Sequence, residues 1–579
     1  MTLDKLADKI YETDVLVIGG GLSGCVAAIK SAKLGAKVIV VDKGKIERSG
    51  SAGAGMDHCA TVPNENITYK DICRQMTGEG IYPPIKNKKG LFNTNMYFST
   101  WEHTRAHVEE MESWGINLKW EDDEHYWIYS GRTGGRTTIR FHGQHLKPQL
   151  ANAVRKSGCT VLDRSMGVEV LMKNGRAVGA ICVNVRSGDF IVIKAKATVM
   201  GTGMAQRIFN PEDMAPWTNK MMYHWCPAGS GDAHAMTYRA GGKLANMEFS
   251  SWFSRLLDDK TLMFGSLTDG DGRSTPIVNA KGEQISETAF MSLETYLDQE
   301  EKGLTPMYFD VQENPEEDQL KREISTSDER MATIKFVQER NFDPRKHRWE
   351  LHGTKSLALT KNMTGVVTDE NFETTVPNLY VVGDAAPCGG TVLGAANSGI
   401  IFGSHIAKKL QDIMPPEVDT AQVKIWRDRT DMHKNVQDGA APMEFETKIR
   451  MISERYATLY RTEGKLKEAL FRLHDVRRDW LHRLSGDTPH NLMRVFDCYN
   501  LADIAEVHYK SALNRRDTRA SFWRKDYPEM NPEWDGKVNF AYMKDGKCVI
   551  EVGSFPPLDP KWLDENLKPS VEPSIKEER

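Results

Sequence analysis

The chain has 579 residues, 40% of them hydrophobic and 27% charged, with a net charge of −4. So long a chain exceeds one ordinary core and predicts roughly two to four domains. The near balance of charge gives no basic field of the kind that binds nucleic acid. No run of about 18 apolar residues occurs, so no membrane span is expected. The N-terminal MTLDKLADKIYET is charged and lacks the apolar core of a signal peptide, so a cytoplasmic protein is expected. None of the nine cysteines forms a C-x-x-C pair. That argues against a zinc or iron–sulfur centre held by this chain alone, and fits free thiols in a reducing compartment.

Asp14 to Ile18 is a short, mostly apolar run with β-branched residues, and predicts a strand. Gly19, Gly21 and Gly24 follow at the G-x-G-x-x-G spacing. In such a turn the first glycine permits tightness and the second lets backbone approach a pyrophosphate. The third lets the next helix pack on the strand. That helix is expected from about Leu22 to Leu34, its N-terminus toward the phosphates, where free N–H groups and the helix dipole favour negative charge. A second strand, Lys37 to Val41, ends in Asp42, 18 residues after Gly24 and near the spacing of an acid that holds ribose hydroxyls. Together these point to a bound dinucleotide; a tight turn with no ligand is the plainer alternative. Lys43 follows directly. From Ser49 to Gly55 every residue is Ser, Gly or Ala. Such a run reads as a loop lying against the cofactor or as a flexible surface loop.

Residues 69 to 115 read as helical, with an amphipathic stretch from Met96 to Trp114. Trp120 to Arg140 is aromatic and basic, with Arg132, Arg136 and Arg140 followed by His142 and His145. It reads equally as an anion site or a solvated β-ribbon, and His142 as a proton relay or a structural histidine. Pro148 to Lys156 predicts a helix with proline at its first position. Thr160 to Val185 predicts strands around the turn Lys173-Asn174-Gly175-Arg176, and Ile191 to Met200 a strand ending in Gly201-Thr202-Gly203. A later strand, Leu379 to Val382, runs into Gly383-Asp384. Residues 313 to 340 read as exposed charged helix, and Glu417 to Ser511 as a helical bundle. Beyond Pro556 the chain is rich in Pro, Lys and Glu and reads as extended, either disordered or wrapped on a partner.

The glycine unit, the G-T-G turn and the segment NLYVVGDAAPCGGTVLGAANSGIIFG together resemble the succinate dehydrogenase/fumarate reductase FAD flavoprotein family, over about residues 12 to 540. Near the C-terminus, RRDTRASFWRKDYPEMNPEW is most similar to the adenylylsulfate (APS) reductase flavoprotein subunit, through Arg516, Arg519, Arg524, Asp526, Tyr527 and Pro528. The resemblance implies an α/β fold: a two-part Rossmann-like FAD-binding domain with an inserted α+β capping domain and a C-terminal helical domain. The parts fall at 1–239 and 351–412 for the FAD domain, 240–350 for the cap and 413–520 for the helices, with an extension at 521–579. It implies an FAD site of Gly19, Gly21, Gly24, Asp42, Lys43, Ser49, Gly55, Val168, Thr202, Gly203, Asp232, Gly383, Asp384, Asn397 and Ser398. In the cap, a V-N-x-x-G-E turn within Gly270 to Glu283 and a return strand within Gly303 to Asp310 are expected.

Three departures from the family pattern bear on function. Many members link FAD through a histidine shortly after the ribose acid, whereas here Arg48-Ser49-Gly50-Ser51 holds none, so FAD is expected to be non-covalent. Fumarate reductases carry a cap arginine that delivers a proton, and residues 283–303 contain no arginine. Glu248 and Arg255, seven apart, resemble the APS reductase segment that presents a substrate-binding arginine, while its adenine-stacking aromatic is replaced near Met221-Met222, with Trp225 nearby. His352 matches the family's substrate-side histidine. The plainer reading of Arg255 is an ion pair with Asp258 or Asp259. The catalytic candidates are therefore Arg255, His352, Glu248 and His142, with no metal site. The expected activity is two-electron transfer between FAD and a small conjugated or anionic substrate, chiefly reduction of an activated C=C bond. Electrons would come from an iron–sulfur or other redox partner subunit, in an oligomer. The rivals are APS reduction, a non-catalytic electron-transfer flavoprotein, and a structural subunit without FAD.

Overall fold

Val15 to Ile18 and Val38 to Asp42 are buried along their whole length. Strands covered on both faces belong in a parallel sheet between two layers, which explains their unbroken apolar runs. The computed structural model describes residues 2–563 except 60–61, 65–66, 72, 74–89, 120–125, 130–137, 210–225, 252–254, 257–276, 287–292, 311–338, 340–345, 347, 353–357, 360–362, 388–390 and 459–460. Arg132, Arg136, Met221, Met222, Trp225, Asp258, Asp259 and nearly all of 313–340 lie outside the described residues.

The sheet is built from β1 (Lys9–Ile18), β2 (Val38–Asp42), β3 (Thr160–Asp163), β4 (Ser165–Lys173), β5 (Arg176–Asn184), β6 (Phe190–Met200) and β7 (Leu379–Val381). Its seven strands run β3-β2-β1-β6-β5-β4, with β7 also on β6. One edge of β6 serves two partners: Phe190 to Lys194 pairs antiparallel with β5, and Thr198 to Met200 pairs parallel with β7. Ile18 is the register partner of both Val41 and Met200, and Met200 that of Val381. Four parallel strands therefore end level. The turns leaving them at Gly19, Lys43, Gly201 and Val382 emerge side by side, the place where open α/β sheets bind ligands. The expected hairpin after β4 is present, with Asn174 at φ 51° and Gly175 at φ 75°, the left-handed pair of a two-residue turn.

Among the described residues the main helices are, in chain order, α1 (Leu22–Lys33), α2 (Thr94–Trp101), α3 (Thr104–Ser113), α4 (Gly143–Lys156), α5 (Asp232–Arg239), α6 (Thr391–Lys409), α7 (Thr420–Lys434), α8 (Pro442–Tyr456), α9 (Glu463–Trp480) and α10 (Pro489–Asn514). A short helix, Leu293–Glu301, lies in the cap segment. The expected amphipathic stretch Met96 to Trp114 is two helices, broken where Thr104 Oγ1 donates to the Trp101 carbonyl at 2.9 Å. α4 corrects another expectation. It starts at Gly143, so Pro148 sits inside it. Proline has no N–H for the Gln144 carbonyl four residues back. Arg48 Nη1 donates to that carbonyl instead, at 3.3 Å. α1 and α6 cross closely because Gly399 and Gly403 face α1: a Cβ on Gly399 would lie 2.7 Å from the Ser23 carbonyl oxygen, and one on Gly403 2.6 Å from Lys30 Cβ.

In the cap segment, Ile277–Val278, Gln284–Ser286, Met307–Phe309, Trp349–His352 and Arg255–Leu256 form a five-stranded sheet. The expected V-N-x-x-G-E turn is there: Asn279 Oδ1 accepts from the main-chain N–H groups of Lys281 and Glu283, at 3.0 and 3.1 Å. α10 is buried on nearly every side, polar residues included. After it, β8 (Val538–Lys544) and β9 (Lys547–Gly553) form a hairpin around Asp545-Gly546 that joins Leu244–Ala245 and Gly365–Val366 in a four-stranded sheet. The start of the tail packs on its own chain. Asn95 Nδ2 donates to the Pro557 carbonyl at 2.9 Å, and Trp562, 4% exposed, packs against Tyr69 and Phe98. Apolar Trp562 offsets the polar composition that made the whole tail read as loose.

Three buried histidines give the fold an acid limit. Burial lowers His107, His234 and His508 to about 4 each, against the hydrogen bond of His107 to Asn397 and that of His508 Nδ1 to the Met247 carbonyl. All three are neutral when folded and take up protons near pH 6.5 when unfolded. The unfolded state thus binds more protons between pH 6.5 and 4, so stability is full above 6.5 and falls as pH drops toward 4. A series of melting curves from pH 7.5 to 4.5 is expected to show a flat top and then a decline. A melting temperature that holds steady to pH 4.5 would show that these histidines are not buried as neutral groups.

Candidate active site: a dinucleotide cleft and its helical buttress

The level strand ends open into a cleft of about 660 Å³. Among its lining residues are the predicted Gly19, Gly21, Asp42, Lys43, Ser49, Thr202, Gly203, Asp232 and Asp384. That volume lies well within the range of about 300–1,000 Å³ of small-molecule sites. Gly19, at φ 100°, would carry a Cβ 2.6 Å from the Gly201 carbonyl oxygen. Gly21 differs: its Cβ would meet nothing nearer than 3.6 Å, so the protein leaves open the side where a phosphate would approach. The Ser49-Gly50-Ser51 loop closes over this turn, a Cβ on Gly50 lying 3.0 Å from Gly21 Cα, and Ser49 Oγ donates to the Gly20 carbonyl at 2.9 Å. The flexible-loop alternative for this run therefore gives way to a wall of the cleft. Asp42 is tied into the turn, its Oδ2 accepting from Gly20 N and its Oδ1 from Gly44 N, each at 2.7 Å.

The other predicted residues stand behind the lining. Gly24 packs on the Gly19 carbonyl. Gly55 takes a left-handed conformation beneath α4, against Gly143. Val168 is the residue passed over in the β4–β5 register between Gly167 and Glu169. Such a bulge takes its main chain out of the ladder, while Ser165, Met166 and Gly167 line the cleft. Ser398 Oγ accepts from Gly383 N at 2.9 Å and so fixes the turn that presents Asp384. Asn397 faces α3: its Oδ1 lies 2.9 Å from His107 Nδ1, and its Nδ2 donates to Thr104 Oγ1 at 2.9 Å. Thr202 Oγ1 accepts from Ala233 N at 3.0 Å, joining the G-T-G turn to α5.

Lys43 shows what sequence reasoning missed. Its Nζ lies 2.7 Å from Asp232 Oδ2, 2.9 Å from Asp497 Oδ1 and 3.1 Å from Ser230 Oγ. An ammonium has three donors, so Lys43 braces the cleft wall. Burial would lower it, but Asp232 and Asp497 hold it above the usual lysine range. Asp497 comes from α10, as do Asn500, whose Nδ2 donates to Asp232 Oδ1 at 2.8 Å, and Asp503, which pairs with Arg239 of α5 at 2.9 Å. The spacing of three puts them on one helix stripe. Behind them Arg207 joins Asp497 at 2.7 Å and Glu446 at 2.6 Å, and Arg450 and Arg494 also pair with Glu446. Burial would raise the Glu446 carboxyl, yet Arg207 and Arg450 hold it at about 2. The C-terminal helices thus buttress the cofactor cleft through charge.

Of the catalytic candidates, Arg255 and His352 are direct cross-strand partners in the cap sheet. Glu248 is fully buried; its Oε1 accepts from Arg515 Nε at 2.6 Å and from Asn539 Nδ2 at 3.0 Å, which ties this segment to the C-terminal region. Burial raises its carboxyl against the pull of Arg515. His142 takes the N-cap position of α4, outside the cleft lining, with its ring 6.0 Å from that of His145. Arg140 is buried, its Nη2 3.5 Å from Asp57 Oδ2. Among the described residues no helix is long and apolar enough to cross a membrane.

Comparison with known proteins identifies the family. Residues 14–399 match the FAD binding domain family, and residues 446–571 match the fumarate reductase flavoprotein C-term. One of the subunits of the fumarate reductase (CoM/CoB) of Methanothermobacter marburgensis is 22% identical, over 92% of this chain and 98% of its own. The L-aspartate oxidase of Pseudomonas aeruginosa is 23% identical, over 90% and 97%. The adenylylsulfate reductase of Archaeoglobus fulgidus has the same fold, with a TM-score of 0.80 at 22% identity, covering 96% of this chain and 97% of that one. A glycine turn open toward phosphate, an acid at the ribose position and a cleft at the level strand ends fit FAD. The chain is an FAD-dependent oxidoreductase and belongs to the succinate dehydrogenase/fumarate reductase flavoprotein family.

Proposed function

We propose that the protein passes two electrons between non-covalently held FAD and a small conjugated or anionic substrate, in the direction of reducing an activated C=C bond. The reading rests chiefly on the register that makes Arg255 and His352 neighbours across two cap strands. FAD, when bound, supplies hydride and single-electron chemistry. The chain's own residues do the rest. Gly19 and Gly21 admit the pyrophosphate to the N-terminus of α1, Asp42 serves the ribose side, and Asp232 and Asp384 complete the wall. Arg255 neutralises an anionic group of the substrate, and His352 hydrogen-bonds it or relays a proton. The absence of histidine from Arg48 to Ser51 supports non-covalent attachment. The chain carries no C-x-x-C pair and a single G-x-G-x-x-G unit followed by helix, strand and acid, which favours electron delivery by a separate iron–sulfur or other redox subunit.

APS reduction is the second reading, favoured by the C-terminal resemblance. The protein purified with its native partners, reduced with an artificial donor, separates the two when offered APS and a panel of activated alkenes. Alkene reduction is expected. Arg255→Gln and His352→Gln are each expected to lower kcat/KM at least tenfold while leaving the flavin spectrum unchanged. Turnover of APS in place of alkenes would replace the first reading by the second. Flavin that is bleached by the donor and reoxidised by none of these substrates would favour a non-catalytic electron carrier.

A further inference from the structure

Lys147 is 1% exposed, on α4, and forms no ion pair with a carboxylate among the described residues. Its ammonium donates to the carbonyl of Gly20, the middle residue of the Gly19-Gly20-Gly21 turn, and lies 3.4 Å from Cys25 Sγ. Burial pushes the Cys25 thiol up against the pull of Lys147, so the sulfur is a neutral thiol and does not balance the charge. The nearest acid of the turn, Asp42, already accepts from Gly20 N and Gly44 N. α4 is held in place to deliver this lysine. A Cβ on Gly143 would lie 2.2 Å from the Gly55 carbonyl oxygen and 2.5 Å from that of Met56, a lining residue, so the helix start is seated against the cleft wall, and Arg48 secures Gln144. A buried cation with no carboxylate in contact is costly to keep.

We propose that Lys147 is a positioning residue of the FAD site, and that its counter-charge is the cofactor pyrophosphate on the other side of the glycine turn. Its charge adds to the partial positive charge at the N-terminus of α1, and its hydrogen bond fixes the Gly20 peptide. The inference rests on FAD binding at this turn. It makes the apo and loaded proteins respond to one substitution with different signs.

The test uses full-length apoprotein with Lys147→Met, titrated with FAD by flavin fluorescence at low and high salt, beside melting curves of the apo form. Gly20 O keeps Ser49 Oγ and Cys25 Sγ as partners in this variant. FAD affinity is expected to fall at least tenfold and to depend less on salt, while the apo form melts at the wild-type temperature or above it. Lys147→Gln, which keeps a donor and loses the charge, is expected to weaken binding as much, and carries the test alone if the methionine variant does not fold. Affinity within twofold of wild type, recovery of affinity by glutamine, or an apo melting temperature that falls with the affinity would each overturn the proposal. Wild-type apoprotein that takes up no FAD would instead overturn the cofactor site itself.

Discussion

Replacing Gly21 and Gly24 by alanine is expected to separate two losses that the glycine fingerprint combines. A Cβ on Gly24 would lie 1.8 Å from the Gly19 carbonyl oxygen and 3.3 Å from Val17 Cγ1. The atom it meets is main chain in the tightest part of the turn, so no side chain can swing away. Helix α1 would have to leave β1, and its crossing with α6 at Ser23 would go with it. The cost should exceed the roughly 1–3 kcal/mol of ordinary overpacking. Gly24→Ala is therefore expected to be poorly soluble and colourless, with a melting transition far below wild type. Gly21 has φ −64° and ψ −172°, extended backbone that alanine adopts freely. Its Cβ would meet Gly201 O at 3.6 Å and Gly50 Cα at 4.0 Å, ordinary contact. Gly21→Ala should fold, with an apo melting temperature within about 2 °C of wild type. The new methyl would stand where the pyrophosphate approaches, and FAD affinity should fall about 100-fold, or about 2.7 kcal/mol. Equal FAD affinity in Gly21→Ala and wild type would move the phosphates away from this turn. Equal melting in Gly24→Ala would refute the close α1–β1 packing.

The difference between those two glycines marks what could be read from sequence. Gly19 to Asp42 is local: strand, turn, helix, strand and acid follow within one stretch, and each spacing carries its own physical reason. The hairpin at Asn174-Gly175 was legible for the same cause. The buttress of the cleft was not. Lys43 and Asp497 are 454 residues apart, and nothing in the periodicity of α10 tells an ionic stripe at Asp497, Asn500 and Asp503 from a solvated face. Only its company of buried apolar residues does, and that is a property of the folded chain. Pro148 misled because the first-position preference of proline is strong, while rescue of Gln144 by Arg48 is a tertiary event. Asp545-Gly546 between apolar alternations did carry a hairpin signal, obscured by the charged residues around it. Lys147, in GQHLKPQ, looks like any surface lysine until its burial is known.

Asp497→Asn is expected to loosen cleft and helical domain together. The carboxylate is 1% exposed and takes Lys43 and Ser230 on one oxygen and Arg207 on the other. Burial would raise it, yet Lys43 and Arg207 hold it well below the carboxylate range. Lys43, Arg207, Arg450 and Arg494 are balanced here by Asp232, Asp497 and Glu446, so the cluster already lacks one negative charge. Asparagine keeps the shape and removes another. It also turns an amide N–H toward a cation wherever the side chain settles. Breaking a buried pair in this way costs about 3–5 kcal/mol, read as a lower urea midpoint. Of its carboxylate partners Lys43 would keep only Asp232, and the wall would be pinned to α10 only through Asn500 and Asp503. FAD affinity should fall with stability, and saturating FAD should restore part of the midpoint, since a ligand that binds the folded form stabilises it by mass action. Asp487→Asn, on an exposed acid that holds only its neighbours Thr488 and Asn491, should change neither quantity. A midpoint and an FAD affinity both unchanged in Asp497→Asn would show that the α10 stripe does not support the site. A lowered midpoint at full FAD affinity would confine its role to joining the helices to the sheet domain.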